Sequence, residues 1–272
     1  MSDLYAVIGN PIAHSLSPYI HTEFSRQTGQ DMRYEALLAP LDSFINTINE
    51  FRQRGGKGMN VTVPFKLEAY KLVTSLTERA KLAQAVNTLK FNKDHFLGDN
   101  TDGIGLKRDI TVNLDFTIEN KRILLMGAGG AARGVILPIL EDKPKLLVIA
   151  NRTKHKAQAL HQQFAAHGNL ESGNFDDLSG ENFDIIINAT SASLQNALPP
   201  LPPNIFCDKS LAYDMMYSKK LTPFLDFAQQ HGATCLADGI GMLVEQAAES
   251  FFLWRGIRPE TKRVIDKLKL KK

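Results

Sequence analysis

Short apolar runs alternate along this chain with stretches whose apolar residues recur every three to four positions. "LYAVIG" reads as a buried strand, followed by a loop and a helix from about Ser17. There Ser17 and Pro18 predict an N-cap and first-turn proline. "YEALLA" and "GMNVTVP" read as further strands. Between them "DSFINTINEFRQRG" has helical spacing and ends in glycines. "AVNTLKFNKDHFLGDN" predicts a hairpin turning at Asn-Lys-Asp. From Lys121 the rhythm becomes strand and helix in alternation: "KRILLMGAGGAARGVILPIL", "KLLVIANRTKHKAQALHQQFAAHG", then the short strands "FDIIINATS", "SLAYDMMY" and "ATCLADG". That rhythm predicts a parallel, doubly wound sheet. "GIGMLVEQAAESFFLWRGIRP" breaks it and predicts one long apolar helix, followed by a lysine-rich one.

The change of pattern divides the chain into two α/β domains. Residues 102–237 form one, of Rossmann type. Residues 1–101 form the other, joined by 238–272 if the last helices return to it. The length of 272 residues suits two modest domains, and 43% hydrophobic with 22% charged residues is a globular composition. A net charge of +3 is too small to argue for a nucleic-acid partner. The basic end "DKLKLKK" reads as a solvated helix terminus. Cys207 and Cys235 form no metal-spaced pair and fit a reducing compartment. "MSDLYAVIGN" lacks the features of a signal peptide, and no run approaches the roughly 18 apolar residues of a membrane span. The expectation is a cytoplasmic protein with a small-molecule substrate, monomer or homodimer. It would have no membrane or nucleic-acid partner and no metal. HExxH, GxSxG and P-loop patterns are missing.

Gly127-Ala128-Gly129-Gly130-Ala131-Ala132 fits G-x-G-x-x-A, directly after "RILLM" and opening an apolar helix. Gly127 permits the tight turn, Gly129 lets a pyrophosphate approach, and Ala132 lets the helix lie close to the strand. The helix N-terminus adds free N–H groups. An NAD site carries an acid about 20 residues further on, gripping the ribose hydroxyls. Here Asn151 stands in its place, followed by Arg152, Thr153, Lys154 and Lys156. These residues suit a 2′-phosphate, with the Arg152 fork as its best donor, so NADP is expected over NAD.

Three further stretches carry polar chemistry. In "NVTVPFK", Asn60 and Thr62 share one face of the strand, Pro64 fits a first helical position, and Lys66 falls in the first turn. The helix field there disfavours an ammonium and lowers its pKa, which suits a general acid or base; a surface lysine is the other reading. Asp102 in "GDNTDG" reads either as a plain N-cap or as a carboxylate paired with a cation. "HSLSP" admits a nucleophilic serine, a helix cap or an anion cradle. On the last helix, Met242, Gln246 and Ser250 form a row beside the apolar row Leu243, Ala247, Phe251 and Trp254.

Taken in order, "NPIAHSLSP", "NVTVPFK", "AVNTL", "GDNTDG", "GAGGAAR", "NRT", "NATS" and "GMLVEQA" resemble the shikimate dehydrogenase family along nearly the whole chain. The resemblance implies NADPH-dependent reduction of 3-dehydroshikimate, with a cleft between a substrate domain and an NADP domain. It implies that Ser15 and Ser17 hold the substrate carboxylate, with Asn60 and Thr62 beside it. Lys66 is the implied acid/base and Asp102 its partner. Asn87, Tyr217 and Gln246 are implied substrate contacts. Gly127, Ala128, Gly129, Gly130, Ala131, Asn151, Arg152, Thr153, Lys154, Lys156 and Thr190 are implied to carry the NADP(H). Met215 and Gly239 are implied to lie near its nicotinamide, and Glu78 is a further cofactor position for which no physical argument is found. The chain departs from the family at Ser193 and Leu194, where glycine and methionine are usual, and at Lys219, where proline is usual. Two other functions stand beside this one: a quinate-active relative with relaxed cofactor use, and a non-catalytic NADP-binding sensor. The sensor leaves the polar set of the first domain unexplained.

Overall fold

The computed structural model describes residues 2–92, 95–195 and 197–270. Lys93 and Asp94, in the expected hairpin turn, lie outside the described residues, as do Lys271 and Lys272 of the basic end. The chain forms two compact units. One comprises residues up to Leu106 together with Leu243–Lys267; the other comprises Lys107–Met242 and the chain end from Leu268.

In the first unit the elements are β1 (Asp3–Gly9), α1 (Ser17–Thr28), β2 (Met32–Leu38), α2 (Phe44–Gln53), β3 (Gly56–Val61), α3 (Lys66–Leu72), β4 (Ser75–Leu76), α4 (Glu78–Ala83), β5 (Thr88–Phe91) and β6 (Phe96–Asp99), before α5 (Asp102–Arg108) begins. They build a six-stranded sheet in the order β2-β1-β3-β5-β6-β4. β1 pairs in parallel with β2 and β3; β5 runs antiparallel to both β3 and β6. The periodicity explains the helices. α1 buries Ile20 and Phe24, four apart, and α2 buries Phe44, Ile48 and Phe51. The α2 residues share a core with Ile8, Met59, Val61, Phe65 and Leu89. β4 has only two residues, too few for any alternation to be read.

In the second unit follow β7 (Arg122–Met126), α6 (Gly130–Glu141), β8 (Leu146–Ala150), α7 (Lys154–Phe164), β9 (Leu170–Gly173), β10 (Phe183–Asn188), β11 (Phe206–Asp214), α8 (Pro223–Gln230) and β12 (Cys235–Asp238). Their order, β12-β11-β10-β7-β8-β9, is wholly parallel. Counted from β7 this is the 3-2-1-4-5-6 order of a dinucleotide-binding fold, reversing direction between β7 and β10. Ile185, Ile186 and Ile187 of β10 are wholly buried, as a central strand covered on both faces requires. β9 escapes sequence reading because "LESG" carries one apolar residue and sits at the sheet edge. The last helices are α9 (Ile240–Arg255) and α10 (Lys262–Leu270). From Leu243 onward α9 belongs to the first unit, where Trp254 Nε1 donates to the Leu89 carbonyl at 3.0 Å.

Candidate active site

The first unit gathers most of its polar motif residues into one buried network. Lys66 opens α3, and its ammonium reaches Asp102 Oδ2 at 2.5 Å. Both side chains are mostly enclosed, at 14% and 6% exposure. The other Asp102 oxygen accepts from Asn87 Nδ2 at 2.9 Å. A capping role for Asp102 is therefore overturned: its oxygens serve Lys66 and Asn87, while the Asp102 N–H is taken by Asn100 Oδ1 at 3.1 Å. Pro64 is likewise not the first helical residue. Phe65 N–H closes a turn on the Thr62 carbonyl at 3.0 Å, so the helix starts two residues after the proline.

Asn87 lies at the centre. Its amide nitrogen also faces Thr101 Oγ1 at 2.9 Å and Gln246 Oε1 at 3.2 Å, and its oxygen accepts from the Thr101 N–H at 2.8 Å. Gln246 arrives from α9 and is anchored by donating to the Leu243 carbonyl at 2.9 Å. Asn60 Nδ2 faces Ser250 Oγ at 2.9 Å, Thr88 Oγ1 at 3.1 Å and the Asn87 carbonyl at 3.3 Å. Thr62 follows β3, half-buried, with its N–H on the Ile8 carbonyl at 2.9 Å.

The serine loop departs from expectation in one detail. Ser17 is the first residue of α1, after Leu16, and caps nothing. Instead Ser15 Oγ accepts the Ser17 N–H at 3.3 Å. The Ser17 side chain is turned inward, to 5% exposure. The result keeps two hydroxyls at the start of α1, where helix-end N–H groups favour an anion.

Around this network lie residues that motif reading does not assign. Asp99, wholly buried, accepts from Arg79 Nε and Thr77 Oγ1, both at 2.6 Å, and from the Asn100 N–H at 2.7 Å. A second Arg79 nitrogen also contacts it, and Arg79 Nη1 reaches Glu249 at 3.1 Å. The loop that presents Thr101 and Asp102 is thus clamped at its start. His21 is wholly buried, and neither ring nitrogen has a hydrogen bond of ordinary geometry. Burial pushes its pKa down to about 3, and a loose contact with Asn60 opposes this only weakly. The sequence signal for these residues is faint: Arg79 stands 20 positions from Asp99, and Ser250 stands 190 from Asn60.

The second unit gathers the glycine turn. Gly127 takes φ 112°, a left-handed conformation that favours glycine, and a side chain there would press on the Ala189 carbonyl at 3.1 Å. A Cβ on Gly129 would meet open space, and the first turn of α6 carries no acid. That open surface over a helix N-terminus fits a dinucleotide phosphate. Ala128, Gly130 and Ala131 continue the turn into α6. After β8, Asn151 Nδ2 folds back onto the Thr153 carbonyl at 3.0 Å, leaving Arg152 exposed. Thr153 precedes α7 without a side-chain cap bond, and Lys156 is exposed. Lys154 is engaged by Asp177 at 2.9 Å, a half-exposed pair in which the ammonium lowers the Asp177 pKa. Thr190 Oγ1 donates to Asn188 Oδ1 at 2.7 Å. Met215 and Gly239 are brought together: a Cβ on Gly239 would stand 2.2 Å from the Met215 carbonyl. Ser193, a departure from the family pattern, donates to Asp214 Oδ2 at 2.8 Å; the Leu194 side chain lies outside what is described. Lys219 is exposed.

Two expected site residues stand apart from their sets. Tyr217 is half-buried in the second unit, while the other expected substrate contacts belong to the first. Glu78 is the first residue of α4 in the first unit, while the glycine turn belongs to the second. Among the described residues no His/Cys/Asp/Glu cluster could hold a metal ion, and no helix is long and apolar enough to cross a membrane.

Three family models match the chain. "Shikimate dehydrogenase substrate binding domain" matches residues 7–89, "Shikimate / quinate 5-dehydrogenase" residues 111–197 and "Shikimate 5'-dehydrogenase C-terminal domain" residues 239–269. A protein named shikimate dehydrogenase (NADP(+)) from Nitrosospira multiformis is 68% identical over 99% of this chain and 98% of its own. Among solved structures, an Ael1 enzyme from Pseudomonas putida is 50% identical with a TM-score of 0.91, covering 98% of each chain. Shikimate 5-dehydrogenase from Thermus thermophilus, solved with NADP(H) and shikimate, is 30% identical with a TM-score of 0.85, covering 97% of each chain.

Proposed function

The chain belongs to the shikimate dehydrogenase family, and from that premise we propose that it catalyses the reversible NADPH-dependent reduction of 3-dehydroshikimate to shikimate. The observation that carries this reading is the buried Lys66–Asp102 pair set among Asn60, Asn87, Thr101 and Gln246. The first unit is assigned as the substrate domain and the second as the NADP domain. The cytoplasm is the proposed compartment, in keeping with the free thiols of Cys207 and Cys235.

When bound, the reduced nicotinamide supplies the hydride. Lys66 stands as the proton donor to the developing alkoxide, and its charge stabilises that oxygen. Asp102 holds the ammonium in place. Asn87 and Gln246 are assigned to the ring hydroxyls. Ser15 and Ser17 are assigned to the carboxylate, with Asn60 and Thr62 beside them. Tyr217 is assigned as a substrate contact carried by the second unit.

Gly127 to Ala131 would hold the pyrophosphate. Asn151, Arg152, Thr153 and Lys156 would hold the 2′-phosphate, with Lys154 at the edge of that set because Asp177 already binds it. Thr190, Met215 and Gly239 are assigned to the nicotinamide end. Glu78 keeps its place on family likeness alone.

The test is NADPH formation from shikimate and NADP, comparing wild type with Lys66→Ala. An undiminished rate in the variant overturns the role given to Lys66. The family matched over residues 111–197 is named for quinate as well as shikimate, so quinate is the second substrate to assay. Specificity constants for both acids with NADP and NAD separate the two readings.

A further inference from the structure

An arginine stands on α4 where the helix itself would not put one. Arg79 lies in the first turn, and the helix field there disfavours a cation. Two carboxylates hold it in place. Asp99, at the end of β6, is gripped by Arg79 Nε at 2.6 Å and by Arg79 Nη2. Glu249 on α9 accepts from Arg79 Nη1 at 3.1 Å and is bound from its other oxygen by Arg258. Burial opposes the charge of Arg79, and the carboxylates more than offset it, so its pKa is raised. One planar fork thus joins the end of β6 to the last long helix.

Each of those two elements presents part of the proposed site. From Asp99, hydrogen bonds lead step by step to Lys66. The Asp99 carboxylate accepts the Asn100 N–H at 2.7 Å, and Asn100 Oδ1 accepts the Asp102 N–H at 3.1 Å. The Asp99 carbonyl takes the Asn87 N–H at 3.0 Å. Asp102 then divides its two oxygens between Lys66 and Asn87. On α9, Glu249 lies one turn beyond Gln246, whose Oε1 faces Asn87 and Thr101. A guanidinium suits this double task, because it offers five donors in a rigid plane where an ammonium is a single point charge. We propose that Arg79 is a positioning residue for the reaction: it fixes the loop that carries Asp102 against the helix that carries Gln246, so that Lys66 is already aimed when substrate arrives. The proposal rests on the assignment of Lys66 to proton transfer and of Gln246 to a ring hydroxyl.

Arg79→Lys keeps the charge and loses the fork. With shikimate and NADP it is expected to lower kcat about tenfold or more, the weight of one charge-assisted hydrogen bond, and to leave the dissociation constant for NADP unchanged. In a Lys66→Ala background the same substitution should lower the residual rate by less than about twofold, because the pair it aims is already gone. Two gentler variants separate the arms. Asp99→Asn sets a donor against the Arg79 fork and should lower kcat more than it raises KM. Glu249→Gln weakens only the arm to α9 and should raise KM for shikimate while kcat stays within about twofold. Thermal unfolding establishes that each variant is folded. Unchanged kcat and KM in folded Arg79→Lys overturn the proposal. So does an equal fractional loss of rate with and without Lys66, which would make Arg79 a packing residue only. Should Arg79→Lys not fold, the other two variants decide, and the same pattern of kcat and KM in both overturns the proposal. Wild-type protein that fails to turn over shikimate overturns the functional reading and, with it, this role for Arg79.

Discussion

The two units solve the problem of holding a ligand in opposite ways. In the first, the site is made of side chains that are buried and bound to one another before any substrate arrives: Lys66 to Asp102, Asp102 to Asn87, Asn60 to Ser250. In the second, the proposed phosphate site is made mainly of backbone, an uncovered glycine turn at the start of α6 with exposed cations after β8. A side-chain network is ordered during folding, so it discriminates finely and tolerates little change. A backbone cradle tolerates side-chain change but forbids side chains where the ligand lies.

The largest expected effect tests the first plan. Lys66→Ala should lower kcat by about 10²–10⁴-fold. Asp102→Ala should do nearly as much and also destabilise the unit by about 3–5 kcal/mol, because it leaves a mostly buried ammonium without its partner. Steady-state rates and urea denaturation measure both. If Asp102→Ala cost activity without stability, the network would not be the rigid frame described.

Next come two glycines of the second unit that should behave differently. Gly239→Ala drives a methyl into the Met215 carbonyl and should cost about 1–3 kcal/mol or more of stability. Gly129→Ala has open space before it, so folding should be unaffected while the dissociation constant for NADP rises about tenfold or more. Thermal melts with and without NADP distinguish them.

A third effect depends on pH. In the unfolded chain His21 titrates near ~6.5; in the folded protein it does so at about 3. Between those values the unfolded state binds a proton that the fold refuses. Stability is therefore full above the unfolded value and falls as the medium is acidified, by up to about 1.4 kcal/mol per pH unit from this group. His21→Phe should flatten that limb in denaturation curves taken from pH 7 to pH 4. The smallest effect belongs to an exposed residue: Arg152→Ala should weaken NADP about tenfold at low salt, less at high salt, and leave NAD nearly unchanged. Direct titration of both cofactors reads this out.

What can be read in the sequence follows from the range of the interactions. The doubly wound half is legible because β7, the glycine turn and α6 are consecutive, and each central strand announces itself by an apolar run. "NVTVPFK" and "GDNTDG" are legible as chemistry, but the Lys66–Asp102 contact, 36 positions apart, is not a matter of periodicity. Capping logic fails at Ser17 because Ser15, two residues earlier, takes the N–H at the helix start. Arg79, Asp99 and His21 escape notice since nothing local marks a charge or an imidazole as inward-facing. β9 and β4 escape because they are short and at the sheet edges.

The distances around Gln246 Oε1 have a consequence for which ligands the first unit can welcome. Asn87 has two amide hydrogens, and its shorter contacts, both 2.9 Å, lead to Thr101 and Asp102. Gln246 Oε1 is left with the two longer approaches, 3.2 Å from Asn87 and 3.3 Å from Thr101. This oxygen is held more loosely than the Asp102 oxygen that shares Asn87 with it. A ring hydroxyl that offers it a hydrogen takes nothing away from the frame. A group that can only accept finds no comparable opening at that point, so under the proposed assignment this corner of the site takes a hydroxyl and turns away a bare acceptor.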